Sequence, residues 1–167
     1  MRKLRLMLVV SLMVVASCSS SSEPMAVQIT NPLGPPSDSS VPVTGPVVDE
    51  GVMCDAVTYE EGDFFDLDGN AVTDEERDQL IQVEMETGEE VFSAKDGRWT
   101  CADGSGTFET VEKFTLAMRD YDFEGSNDAA TWTVENGTGN YEGLTGSGNV
   151  VVDFSKETVT YDGEMQK

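Results

Sequence analysis

The residue that first invites a chemical reading is Glu112. In the stretch FETVEKFTLAM, residues 108, 110, 112, 114, 116 and 118 fall on one face of an extended chain, because side chains alternate along a strand. That face carries Phe108, Thr110, Phe114, Leu116 and Met118 beside the carboxyl. A carboxylate among apolar side chains needs a partner or a raised pKa, and either condition suits proton transfer or ligand recognition. The alternative is a bulge that turns Glu112 out to solvent. Arg119, Tyr121 and Trp132 complete the candidate pocket, with Tyr141 as a further aromatic for an interior or its mouth. The chain has no histidine. Ser-His-Asp and Cys-His catalysis and histidine-bound zinc are therefore excluded. Nothing in the sequence pairs a serine with a lysine, and no cofactor is implied.

Two other stretches imitate ligand loops. DFFDLDGNAVTDEE, residues 63–76, places Asp66, Asp68 and Asn70 at alternate positions, as a calcium loop places its oxygen ligands. Counted from Asp66, the positions that should hold Gly and Glu hold Ala71 and Arg77. Counted from Phe64, Gly69 and Glu75 fit but the first ligand is missing. An Asp-Gly-Asn turn before a helix cap reads the same residues. The second stretch, WTVENGTGNYEGLTGSG at 132–148, is rich in glycine. A phosphate loop leads from a glycine-rich turn into a helix and usually supplies a lysine. This stretch has no lysine or arginine, carries Glu135 and Glu142, and runs into NVVVDF, a strand. Gly137, Gly139, Gly143, Gly146 and Gly148 are thus expected to shape backbone, as bulges, bends or close approaches.

The elements that must position these residues belong to a very acidic chain. Its 167 residues include 10 basic and 32 acidic ones, a formal net charge of −22. That balance opposes nucleic acid and anionic lipid head groups and suits a well-solvated surface. The start of the chain differs. Arg2, Lys3 and Arg5 precede an apolar run over 6–16, too short to span a bilayer. Val15-Ala16-Ser17-Cys18 follows. The arrangement resembles the bacterial lipoprotein signal. That resemblance implies removal of 1–17, lipid on Cys18, and a place in the bacterial cell envelope outside the cytoplasm. The lipid would then be the membrane attachment. All six prolines lie between 24 and 46, so 18–50 reads as a Pro/Ser-rich tether and 51–167 as the folded domain. Cys54 and Cys101 remain there, and in an exported domain they are expected to form one disulfide.

From about residue 52 the pattern is all-β. Ala130, Trp132 and Val134 alternate with Thr131, Thr133 and Glu135; Val150, Val152 and Phe154 with Val151 and Asp153; Val159 and Tyr161 with Thr158 and Thr160. Short runs of β-branched and aromatic residues, bounded by Gly, Asp, Asn and Ser, indicate a sandwich or barrel. Turns are expected at Asp96-Gly97, Asp103-Gly104 and Ser155-Lys156-Glu157. Thr73-Asp74-Glu75-Glu76 is a capping box, so a short helix starts near Asp74. Leu80, Ile81 and Met85 form its expected buried stripe and Gly88 its stop, although Ile81, Val83 and Met85 also alternate as a strand would.

Gly137-Thr138-Gly139-x-Tyr141-x-Gly143-x-x-Gly146-x-Gly148 resembles the glycine segment of the allene oxide cyclase and dirigent-protein barrels. CADGSGTF, 101–108, is similar to early strands of bacterial proteins of that kind, and the likeness covers about 99–154. It implies an antiparallel eight-stranded barrel, allene-oxide-cyclase-like, with an apolar interior and a homo-oligomeric habit. The plant members close a ring in an oxylipin or steer the coupling of phenolic radicals; the matched motif is architectural and brings no catalytic residue with it. The expectation is a lipid-anchored barrel that binds a small apolar or amphipathic ligand or an envelope partner. The alternatives are an isomerase or cyclase and an interaction module with a filled barrel. Convergent polar groups in a pocket would favour the enzyme, an apolar cavity would favour binding, and a filled interior would favour interaction.

Overall fold

The computed structural model describes residues 23–33, 39–117 and 120–167; Cys18 and Arg119 lie outside them. In chain order the elements are β1 (Met25–Pro32), β2 (Val41–Thr44), α1 (Pro46–Asp49), β3 (Ala56–Asp66), β4 (Ala71–Val72), α2 (Asp74–Thr87), β5 (Phe92–Cys101), β6 (Thr107–Phe114), β7 (Ser126–Gly137), β8 (Thr145–Asp153) and β9 (Thr158–Gln166). The strands run β2-β1-β9-β8-β7-β6-β5-β3, and β2 pairs in turn with β3, so eight antiparallel strands close a barrel. Val41 faces Val57 and Pro42 faces Ala56 at the seam. β4 is an extra strand that pairs with the far end of β3. Closure leaves no long free edge, the usual hazard of an all-β chain.

The tether boundary at residue 50 is corrected. β1 and β2 lie inside 18–50 and are staves of the barrel, β1 pairing with β9 from Met25↔Met165 to Pro32↔Thr158. The prolines are compatible with this because of where they sit. Pro32 ends β1, Pro42 faces solvent on the four-residue β2, and Pro46 opens α1, places where a missing N–H or a fixed φ costs little. Val27, Ile29, Val41 and Val43 point inward and are buried.

Two ends of the barrel differ. At one end, α1 buries Val47, and the 3-10 turn Gly139–Tyr141 brings Tyr141 inside. The Tyr141 hydroxyl accepts the Cys54 N–H at 3.2 Å and bonds Ser105 Oγ at 2.8 Å. Cys54 and Cys101 are joined, as expected, across a sequence separation of 47. By the chain-entropy account such a loop contributes about 4 kcal/mol. The glycine stretch serves this closed end: Gly137 finishes β7, Gly139 begins the turn under Tyr141, Gly143 follows it, and Gly146 and Gly148 lie in β8. Gly148 has a specific cause. It stands between Trp132 and Gly163 in neighbouring strands. A Cβ there would meet Asp162 O at 2.0 Å, and one on Gly163 would meet the Trp132 ring at 2.8 Å. Two adjacent glycines give the indole its place inside the wall.

Above that floor, Trp99, Trp132, Phe108, Ile29 and Met165 are each below 3% exposed and fill the lower half. Trp99 and Phe108 stack with centroids 6.0 Å apart, and the Trp99 indole N–H donates to Thr110 Oγ1 at 3.0 Å. The expected turn at Asp96-Gly97 is instead mid-strand in β5. Gly97 is required because a Cβ would lie 2.4 Å from the Tyr59 ring, which packs against the core on that side. The turns at Asp103-Gly104 and 154–157 are formed.

Helix α2 starts and stops as expected. Thr73 Oγ1 accepts the Glu76 N–H, the Glu76 carboxylate accepts the Thr73 N–H, and Gly88 caps the end in the left-handed region at φ 71. Its buried face is corrected: Met85 is 65% exposed, whereas Glu84 is 5% exposed. The helix turns Arg77, Ile81 and Glu84 towards the barrel, so its amphipathicity is not one of hydrophobic residues alone.

Candidate functional site

β6 presents Phe108, Thr110, Glu112 and Phe114 to the interior, the face expected from alternation. Glu112 is therefore inward, 1% exposed, and the outward-turning bulge is overturned: the irregularity of β6 against β7 falls between Glu109 and Thr110, and pairing is regular from Thr110 through Glu112. Two non-adjacent strands and the neighbouring β5 deliver its partners. Tyr161 of β9 donates to Glu112 Oε1 at 2.8 Å and Tyr59 of β3 donates to the same oxygen at 3.2 Å. Lys95 of β5, directly opposite Glu112 in register, places Nζ 3.4 Å from Oε2 and 3.3 Å from Glu61 Oε1.

The electrostatics follow from burial. Desolvation raises the Glu112 carboxyl above the ordinary glutamate range, opposed first by Lys95 and then by the two tyrosine hydroxyls. Burial pulls Lys95 down, but the charge of Glu112, then Tyr59 and Glu61, outweighs it and holds the ammonium above its usual range. Tyr59 and Tyr161 are raised by burial and then by Glu112, so both phenols stay protonated and act as donors. The result is a closed polar belt across the barrel. Each member is satisfied, as a buried network must be to contribute specificity rather than cost.

Beyond the belt, towards the open end, lies a cavity of about 210 Å³. Its wall is Phe64 of β3, Phe92 of β5 and Phe114 of β6, with Leu116, Ala117 and Tyr121 from the β6–β7 connection. Ile81 and Glu84 of α2, with Glu90 after it, form the roof. The three phenylalanine rings contact one another at centroid distances of 5.3, 6.2 and 6.5 Å. Phe64 reaches this position because a bulge between Glu61 and Phe64 resets the register of β3 against β5. The void beneath the belt, between Trp99, Trp132 and Tyr161, is about 10 Å³, the room of about one water at most. A wider depression of about 500 Å³ on the outer wall beside Gly62 is lined largely by Glu60, Glu61, Asp63, Asp96, Glu109 and Glu135.

The candidate pocket residues are thus divided. Tyr121 lines the cavity. Glu112 belongs to the belt below it. Trp132 is corrected to the filled half, where its indole N–H has no hydrogen-bond partner among the described residues. Tyr141 is a strut of the closed end. The calcium candidate lies in a hydrogen-bonded turn. Asp66 accepts from the Asn70 backbone at 2.8 Å and from the Asn70 amide, with Gly69 at φ 81, so Asp66, Asp68 and Asn70 build the β3–β4 hairpin turn. Among the described residues no three acidic, cysteine or histidine side chains converge as for a metal ion. Sequence reasoning missed Tyr59, Lys95, Tyr161, Phe64 and Phe92. Tyr161 was on a recognised strand face; the others required the register of β3 against β5.

Comparison of the chain with protein-family profiles, with curated proteins and with solved structures yields no match.

Proposed function

We propose that this protein is a binding barrel that takes a small apolar or amphipathic molecule into its open end, and that lipid on Cys18 holds it in the bacterial envelope. The observation that carries the reading is the aromatic-walled cavity of about 210 Å³ above a belt whose polar groups are all engaged with one another. A cavity of this kind is the usual form of a small-molecule site. Glu112, Lys95, Tyr59 and Tyr161 are bonded to one another in the belt and do not line the cavity, where Glu84 is engaged within the protein, Glu90 stands at the rim and no basic side chain among the described lining residues faces Tyr121, which is why binding is favoured over turnover. The eight-stranded architecture and the glycine segment at the closed end are in keeping with an allene-oxide-cyclase-like barrel.

The anchor also gives an orientation. β1 starts at the closed end, since Met25 faces Met165 and Met165 faces Gly146 near the Tyr141 turn. Residues 19–24 are all that separate Cys18 from β1, a reach of at most about 25 Å. The closed end would therefore face the membrane and the cavity would open away from it. The exposed apolar side chains Leu67, Val83, Met85 and Phe123 lie on the turns and helix of that open end, where a partner delivering or collecting the ligand would dock.

The test is native mass spectrometry of the full chain purified gently from its own host, beside an Ala117→Leu variant that fills the cavity. The expected result is a stoichiometric small molecule on the wild type and none on the variant. A bare polypeptide mass for both, with no uptake of added 1-octanol by the wild type, would overturn the reading.

A further inference from the structure

We propose that the cavity selects an organic cation: a small amphiphile with a short alkyl or aryl body and an ammonium head. The inference rests on the binding reading above and specifies the chemistry at the two ends of the ligand. The body is set by Phe64, Phe92, Phe114 and Ala117, which enclose less volume than the ~300–1,000 Å³ of sites for drug-sized ligands. The head is set by what stands at the mouth. The charged side chains among the described lining residues are Glu84 and Glu90, both carboxylates. Glu84 is buried and already engaged within the protein, so the contact falls to Glu90, which is exposed at the rim.

The surroundings reinforce the sign. α2, which roofs the cavity with Ile81 and Glu84, also carries exposed Asp74, Glu75, Glu76, Asp78 and Glu86, and its one cation, Arg77, is tied to Asp74 at 3.2 Å and Asp78 at 3.5 Å. The chain as a whole bears −22. Such a field raises the local concentration of cations and lowers that of anions. The aromatic wall is compatible with positive charge: Arg77 Cζ lies 5.5 Å and Lys95 Nζ 5.9 Å from the Phe64 centroid, within the range of cation–π attraction. Lys95 itself does not repel the head strongly, because Glu61 and Glu112 both hold its ammonium. Tyr121 adds a neutral phenol on the wall; burial, and next the charge of Glu84, push its pKa up, so it stays a hydroxyl. A fatty carboxylate entering the same way would meet Glu90 with like charge.

The experiment is isothermal titration of the full-length Cys18→Ser chain with n-octylammonium, 1-octanol and octanoate, corrected by the same titrations of Cys18→Ser/Ala117→Leu. The three probes share one chain and differ in head charge. Octylammonium is expected to bind at least about tenfold more tightly than octanol at low salt, with the margin shrinking several-fold in about 0.5 M NaCl. Octanoate is expected to bind most weakly. Glu90→Gln should reduce octylammonium affinity several-fold and leave octanol unchanged. Octanol equal to or tighter than octylammonium, or octanoate tighter than either, would overturn the cation inference and leave the binding barrel intact. Binding of none of the three beyond the Ala117→Leu control would remove both.

Discussion

Replacing Lys95 with methionine isolates the energetics of the belt. The substitution keeps most of the aliphatic volume and deletes the charge 3.4 Å from Glu112. At an effective dielectric constant of about 20, that attraction is roughly 5 kcal/mol. The variant need not lose all of it, because Glu112 can escape by taking a proton. Staying protonated costs about 1.4 kcal/mol for each pH unit above the ordinary glutamate pKa of ~4.3. The loss is therefore capped near ~4 kcal/mol at pH 7 and ~1 kcal/mol at pH 5. The sign follows from proton binding. Burial raises the folded-state pKa of Glu112, and deleting Lys95 removes the main opposing influence and raises it further. Between the unfolded and folded values the native state holds the extra proton, so stability falls as pH rises. Thermal unfolding followed by circular dichroism should show Lys95→Met about 10 °C below wild type at pH 7 and about 3 °C below at pH 5, at ~3 °C per kcal/mol for a domain of this size. Lys95→Met/Glu112→Gln should lose the widening gap with pH, since no carboxyl remains to titrate. An equal loss at both pH values, or a pH-dependent gap that persists in the double variant, would refute this account of the belt.

Two further outcomes test the scaffold. Gly148→Ala drives a Cβ to 2.0 Å from Asp162 O and 2.7 Å from Gly163 Cα, backbone with no room to yield, and should cost about 3 kcal/mol or more in urea unfolding. Gly143→Ala, at φ 81 with open space around it, should cost about 1 kcal/mol; similar losses at the two sites would contradict the role given to the indole. Asp153 is held at about 2 first by the Lys156 ammonium, then by Ser155. A carboxyl lowered in the folded state contributes stability above its unfolded pKa of ~3.9, and that contribution is lost as pH falls towards 2. Lys156→Ala should raise the pH midpoint of acid unfolding, monitored by near-UV circular dichroism, and an unmoved midpoint would count against the Asp153–Lys156 contact.

How far the molecule could be read from its residues depended on the range of the interactions involved. The inward face of β6, the capping box at Thr73, the Gly88 stop and the pairing of Cys54 with Cys101 follow from local pattern or from counting, and all are found. The alternation of Val27 and Ile29 was equally local, but proline at 24, 32 and 42 suggested a tether; those prolines occupy strand ends and a solvent-facing position. The face of α2 was misjudged by following hydrophobicity. Arg77 faces inward because Phe64 offers a ring to its guanidinium, and Glu84 is buried in place of Met85. The partners of Glu112 could not be named in advance. Tyr59 and Tyr161 come from strands that do not adjoin β6, Lys95 depends on the register of β5 against β6, and the bulge between Glu61 and Phe64 shifts which residues of β3 face the interior. The cavity depends on the same bulge, which has no distinct sequence mark beyond Gly62.

The most direct test of the central claim is a methyl-labelled NMR titration of the full-length Cys18→Ser chain with 1-octanol. The account predicts saturable shifts at Ile81, Leu116 and Ala117, which border the cavity, and none at Val27, Ile29 and Met165, which lie in the filled half below the belt. Shifts spread over both groups, or confined to exposed Leu67, Val83 and Met85, would contradict it.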